Sequence, residues 1–295
     1  MISGETGLQK FKIKARRDAE KMSINVLNLS IFEMLAPKLF LAVGFVLVVI
    51  LSFATCSKHG LTKLSTLMFM IVGYASGIYC AGLMGALYTA VSKMYGGGTS
   101  NLAIFGVVVS LPFILIAAAL LSGKPWRGVT DLFAPGAILG LAFSKFGCFF
   151  YGCCPGIECD FGLYNKLYER VMFPSQLCES ITMVFVVAFS FWYTNKKKNR
   201  TPGSAYPVTA MVYVTTRFLW EFLRYYDIDK MKHLLFGLSF WQLWCIVVFV
   251  ISAIWLLILK NPKLPEYEKR YYAKHAEVVE KLKSKLTAKK EASAE

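Results

Sequence analysis

Residues 64–92 read LSTLMFMIVGYASGIYCAGLMGALYTAVS, with no charged side chain between Lys63 and Lys93. A bilayer core about 30 Å thick needs about 20 apolar residues of helix. Lipid leaves the backbone no partner but itself, so only helices and closed barrels cross it. The stretch lacks the strict in–out alternation of a barrel strand, so it reads as a transmembrane helix. Similar runs lie to either side. Leu39–Ser57 is bounded by Lys38 and Lys58, and Met94–Gly123 by Lys93 and Lys124. Leu132–Ser144 continues through Lys145 to Cys154, and Ser180–Asn195, Thr201–Thr216 and His233–Leu259 follow. The pattern predicts an all-α polytopic membrane protein with about seven spans, the fourth to sixth interrupted by polar residues.

Composition agrees. Of 295 residues 56% are hydrophobic and 17% charged, whereas a soluble domain averages roughly 45–50% and about 25%. The mean hydropathy is +0.50. This excludes a disordered, coiled-coil or nucleic-acid-coating protein despite the net charge of +15. The first thirty residues lack the apolar core and small-residue site of a cleavable signal peptide. Phe53-Ala54-Thr55-Cys56 carries the wrong residues for a lipoprotein cleavage site. Three parts are expected: a basic amphipathic N-terminal segment (1–35), a seven-helix membrane domain (36–260) and a charged C-terminal cytoplasmic tail (261–295).

An odd number of spans puts the termini on opposite sides, and cytoplasmic loops carry the excess of Lys and Arg. One set of loops holds Lys58, Lys63, Lys124, Arg127, the run Lys196–Lys198 with Arg200, and the tail. The other holds Lys93, Lys166, Arg170, Arg224, Lys230 and Lys232. The denser set predicts the C-terminus inside and the N-terminus outside. The basic residues Lys10, Lys12, Lys14, Arg16, Arg17 and Lys21 dissent, unless they form an amphipathic helix on the membrane surface. Residues 260–295 read as a solvated helix, either a solubilising tail or a segment drawn to anionic headgroups. Gly96-Gly97-Gly98 is a turn and no phosphate loop, since no strand precedes it. The long connection 155–176 exceeds the usual loop length, which favours a function.

Charged groups inside spans are expensive and therefore pair or line a wet cavity. Tyr213, Arg217, Glu221 and Arg224 fall on one helix stripe by spacing. Arg217 and Glu221 suit an ion pair, and the surplus positive charge suits an anionic headgroup, because a guanidinium grips phosphate with two donors. Lys145 interrupts the fourth span and is either functional or snorkelling to the interface. Glu179 opens the fifth span. Thr130-Asp131 reads as a helix cap. Of the eight cysteines, Cys148, Cys153, Cys154 and Cys159 are closely spaced. No C-x2-C pair is present and no histidine is adjacent, so a metal site is not expected. On the outer side a disulfide is open to Cys159 with Cys153 or Cys154. Cys56 and Cys245 read as small buried hydrophobes.

Five of these stretches, in order and spacing from about residue 35 to 260, resemble the bacterial phosphatidylglycerol–prolipoprotein diacylglyceryl transferases. Tyr213-x3-Arg217-Phe218-x2-Glu221-Phe222-x-Arg224, followed by Asp227, resembles that family's Y-x3-R-F-x2-E-F-x-R segment. Asp131-x2-Ala134-Pro135 resembles the opening of its fourth span, Pro174-Ser175-Gln176-Leu177-Cys178-Glu179 its P-S-Q-L-Y-E, and Leu238-Ser239-x2-Gln242 its L-S-x-G-Q. Lys145–Cys153 stands where the family carries G-R-x-G-N-F-x-N-G-E. There Lys145 replaces an arginine, Cys148 and Tyr151 replace asparagines, and Cys153 replaces a glutamate. Cys80-Ala81-Gly82-Leu83-Met84-Gly85 matches H-G-G-L-x-G with Cys80 in place of the histidine. The departures fall on polar positions of the site and leave the acceptor open.

The resemblance implies transfer of a diacylglyceryl group from phosphatidylglycerol to the lipobox cysteine of a membrane-anchored preprotein, in a bacterial inner membrane, with no cofactor, metal or nucleic acid. It implies Arg217, Glu221, Tyr213 and Glu179 as catalytic residues and Arg217, Arg224, Lys145 and Gln176 as holders of the lipid phosphate. Cys80, Cys148 and Cys153 are candidate site cysteines, with Cys80 more consistent with close helix packing beside Gly77, Ala81, Gly82 and Gly85. The alternatives are a non-catalytic or transport protein for anionic lipid on the same scaffold, and a thiol-redox protein using Cys148, Cys153 and Cys154.

Overall fold

The computed structural model describes residues 30–97, 103, 105–226 and 229–292; the basic N-terminal segment, Gly98 and Asp227 lie outside the described residues. Eight helices of substantial length follow one another: α1 (Ile31–Thr55), α2 (Lys63–Met94), α3 (Phe105–Leu121), α4 (Trp126–Tyr151), α5 (Ser175–Asn195), α6 (Ala205–Glu221), α7 (Phe240–Leu259) and α8 (Leu264–Ala292). Between α4 and α5 an antiparallel hairpin pairs β1 (Glu158–Asn165) with β2 (Arg170–Met172). Its occupation of the long connection was not anticipated in an all-α reading.

Among the described residues, α1 with the turn after it, α2, α4, α5 and α7 are long and apolar enough to cross a membrane. The expected third and sixth spans correspond to α3 and α6, each of 17 residues. A helix of that size rises about 26 Å, slightly less than a hydrocarbon core. The expected span Met94–Gly123 is corrected: Met94 closes α2, and a turn with Gly96 at φ +79° follows. The chain re-enters at Ala103, whose N–H donates to Ala81 O at 2.9 Å, partway along α2. A Cβ on Gly106 would stand 2.1 Å from Cys80 O, so only glycine permits this approach.

Three helices begin with matched caps. Ser30 with Glu33, Thr62 with Ser65, and Ser239 with Gln242 each exchange side-chain and backbone bonds, satisfying N–H groups that have no intrahelical partner. α4 is the central element and packs against α1, α3, α5 and α6. Its contact with α1 is close because Gly44 faces Phe143 and Gly147 faces Pro37, where an added Cβ would lie 2.8 and 2.7 Å from its neighbour. Small residues do this work in membranes, where packing rather than water exclusion joins helices. The outer surface is apolar: Tyr79, Phe185 and Leu257 are each about two-thirds exposed. A soluble monomer rarely shows such a continuous apolar face, whereas lipid covers it.

The two ends of the bundle differ in chemistry. At one end Asp131 is buried in the second turn of α4. It accepts from Arg200 at 2.5 Å, from Gly203 N–H at 2.8 Å and from Ala205 N–H at 2.9 Å. The expectation that Asp131 caps its own helix is thus corrected: it caps α6 from across the bundle. Lys58, Lys63, Lys124, Lys196–Lys198, Lys260 and Lys263 gather at this same end. α8 returns to it too. Glu268 pairs with Arg127 at 2.8 Å, and Tyr271, Tyr272 and His275 bond the carbonyls of Leu120, Lys124 and Leu121. The tail is therefore docked along its first three turns instead of being freely solvated. The hairpin lies at the opposite end, where Lys166 meets Glu33 of α1 at 2.7 Å.

Removing the Asp131 carboxylate leaves a largely buried guanidinium and two buried N–H groups without their acceptor. Asp131→Ala should lower stability by about 3–5 kcal/mol, read as a lower melting temperature in detergent. An unchanged melting temperature would refute the clamp.

Candidate functional site

The charged stripe of α6 faces inward, toward α5 and the hairpin end of α4. Tyr213, Arg217 and Glu221 occupy successive turns and all are buried. Arg217 and Glu221 form the expected pair one turn apart. Arg224 is corrected in one respect: it lies past the end of α6, which closes at Glu221, and it is buried there. The backbone turn that carries it is sewn to the hairpin: Ile157 N–H donates to Leu223 O at 2.9 Å and Tyr225 N–H to Pro155 O at 3.1 Å.

Glu179, one turn into α5, is the hub. Its Oε2 lies 2.6 Å from Lys145 Nζ, and its Oε1 lies 2.7 Å from Arg224 and 3.8 Å from Arg217. Lys145 therefore does not snorkel; it is turned inward and ion-paired. Glu221 accepts from Tyr226 Oη and from Ser239 Oγ besides pairing with Arg217. Lys145, Arg217 and Arg224 against Glu179 and Glu221 make three cations and two carboxylates, a surplus of one positive charge. Each of the five is more than nine-tenths buried. In a low-dielectric surrounding such a surplus attracts an anion strongly. Tyr213 Oη, fully buried on the same stripe, has no hydrogen-bond partner among the described residues.

The other candidates take supporting positions. Gln176 is buried, and its amide donates to Cys153 O at 2.7 Å, fixing the start of α5 to the end of α4. Cys153 Sγ–H donates to Cys148 O at 3.9 Å at the hairpin end of α4. All eight cysteines are free in this structure: Cys153 bonds back to Cys148 O, and Cys159 stands on β1. Cys80 lies on α2 where α3 begins. The structure brings together Lys145, Glu179, Arg217, Glu221 and Arg224, each of which the sequence had singled out. Sequence reasoning missed the two donors to Glu221. Ser239 was findable, since Ser239-x2-Gln242 is a capping pattern that fixes its position; Tyr226 carried no signal.

The prolipoprotein diacylglyceryl transferase family model matches this chain over residues 26–259. A protein of Clostridium perfringens (strain 13 / Type A) named phosphatidylglycerol–prolipoprotein diacylglyceryl transferase 2 is 31% identical over 103 residues. That match covers 32% of this chain and 40% of the relative, so the chain spans about two-fifths of the curated relative's length.

Deleting the hub isolates three cations with one carboxylate. Glu179→Ala should cost about 3–5 kcal/mol of stability. The exposed Glu266–Arg270 pair supplies the contrast, and Glu266→Gln should change stability by about 0.5 kcal/mol or less. Thermal unfolding of both variants in one detergent checks this, and equal losses would mean that the buried network is not a unit.

Proposed function

Because the chain belongs to the prolipoprotein diacylglyceryl transferase family, whose model covers its membrane helices, we propose that it transfers a diacylglyceryl group from phosphatidylglycerol to a thiol acceptor, the lipobox cysteine of a membrane-anchored preprotein. The observation that carries this reading is the buried cluster of Lys145, Arg217 and Arg224 against Glu179 and Glu221, one positive charge in excess. The carbon–oxygen bond joining the diacylglyceryl group to phosphate breaks, and a carbon–sulfur bond to the acceptor forms. Glycerol phosphate leaves, taking up in net the proton of the acceptor thiol.

The cluster serves the leaving group. Charge grows on the phosphate oxygens as the bond breaks, and cations already fixed in place stabilise it without reorganising. Arg217 and Arg224 offer paired donors in a plane, and Lys145 a point charge. Glu221, saturated by Arg217, Tyr226 and Ser239, acts as a positioning group for Arg217. Glu179 positions Arg224 and Lys145, and the incoming thiol reacts as thiolate beside this surplus of positive charge. The free Tyr213 hydroxyl supplies a further donor toward the anion. Proton transfer does not use Cys80, which takes the packed position beside Gly106.

Vesicles of phosphatidylglycerol with the purified chain and a lipobox peptide should release glycerol phosphate and yield a thioether-modified peptide. Arg217→Lys and Arg224→Lys should each lower turnover at least tenfold, and Cys80→Ser should keep most of it. Lipid movement without release would instead mean transport, and parental turnover in both lysine variants would remove the arginines from the phosphate site.

The chain is a multi-pass membrane protein, and the hairpin end, by this reading, faces outward. The support is that the dense basic loops lie together at the Asp131 end, which the inside preference of Lys and Arg assigns to the cytoplasm. On intact cells an impermeant maleimide should label Tyr164→Cys readily and Lys198→Cys hardly at all; the reverse pattern would invert the orientation.

A further inference from the structure

α8 lies outside the transferase site, and its surface is sorted. At about 100° per residue, Leu264, Tyr267, Tyr271, Tyr272, His275, Val278, Val279 and Leu282 share one arc about 140° wide. Lys269 and Lys283 flank this arc on one side, and Lys274, Lys281 and Lys285 on the other. Glu266, Glu277 and Glu280 run along the middle of the opposite face, and Arg270 and Lys281 pair with Glu266 and Glu277 at 2.6 Å each. Glu268 is the acid that stands within the arc, and it is consumed by Arg127 in the docked first half of the helix. Over residues 276–285 no acid enters the stripe, a sorting that a merely solubilised helix does not need. A helix lying in a headgroup layer does, because marginal lysines extend to the phosphates while the stripe reaches the acyl boundary.

The fold says which way the stripe faces. Tyr271, Tyr272 and His275 of the same arc bond the carbonyls of Leu120, Lys124 and Leu121. Those carbonyls belong to the last residues of α3 and the turn that leads into α4. The face of α8 that meets the membrane ends of the bundle therefore continues past His275 as Val278 and Leu282, which are 48% and 55% exposed. Tyr267, Tyr271 and Tyr272 match the aromatic residues that collect at membrane–water boundaries.

We propose that the second half of α8 is an interfacial helix that binds an anionic phospholipid surface at the Asp131 end of the bundle, its Val278–Leu282 stripe in the acyl boundary and its marginal lysines on the headgroups. Each marginal base close to such a surface adds an attraction that salt screens. Catalysis at the opposite end does not enter this argument.

The test is hydrogen exchange on the full chain in lipid nanodiscs, read over residues 276–285. In discs containing phosphatidylglycerol these amides should exchange several-fold more slowly than in discs of phosphatidylcholine alone, and added salt should narrow the difference. The double variant Val278→Asp/Leu282→Asp should lose the protection while residues 264–275 exchange as in the parent. Equal exchange in both lipids would overturn the proposal, as would a double variant that exchanges like the parent.

Discussion

Everything at the hairpin end of this protein depends on a carboxylate that three cations share. An isolated charge in a bilayer is expensive, and Lys145, Arg217 and Arg224 come from three different segments, α4, α6 and the turn beyond it. None is tolerable alone at its depth. Glu179 makes them so by facing all three from α5, which obliges those segments to converge. The packing around it follows: Ser180 bonds Ala142 O at 3.2 Å, Gln176 holds Cys153 O, and Ser239 at the cap of α7 reaches Glu221. A network short by one negative charge is a poor way to stabilise a fold, since buried ion pairs seldom gain over apolar packing. It is a sound way to keep a place for a phosphate.

The same comparison separates what the sequence made legible from what it did not. The uncharged runs specified the helices, because hydrocarbon thickness imposes a length that few other structures need. The spacing of Tyr213, Arg217 and Glu221 specified a shared face, because helix geometry is local. Arg224 was misplaced for the same reason: a periodic extrapolation carries on through the residue where the helix stops. Asp131 resembled a local cap and turned out to hold a loop more than seventy residues away, a relation that no local pattern encodes. The third span was set too long since apolarity persists across Gly96–Gly97 while the backbone turns there.

The cysteines show a third case. Their spacing left a covalent link open, yet all are free here and Cys153 Sγ–H donates to Cys148 O. Cys148 and Cys153 occupy positions where the resembled family carries an asparagine and a glutamate. A soft, weakly hydrogen-bonding lining there leaves the arginine–glutamate network as the dominant polarity of this part of the bundle.

The seam between the hairpin and the end of α6 has a mechanical consequence. Ile157 and Pro155 hold the backbone on either side of Arg224 through two hydrogen bonds, and Gly156 between them has no room for a side chain, with Leu223 O 2.7 Å from where a Cβ would stand. Arg224 cannot slide along its own strand of backbone without dragging the base of the hairpin with it. Whatever presses on β1 or β2 from the aqueous side is thereby felt at a guanidinium inside the bundle. Backbone that carries the hairpin and backbone that carries the arginine are thus held side by side, and the guanidinium ends on Glu179.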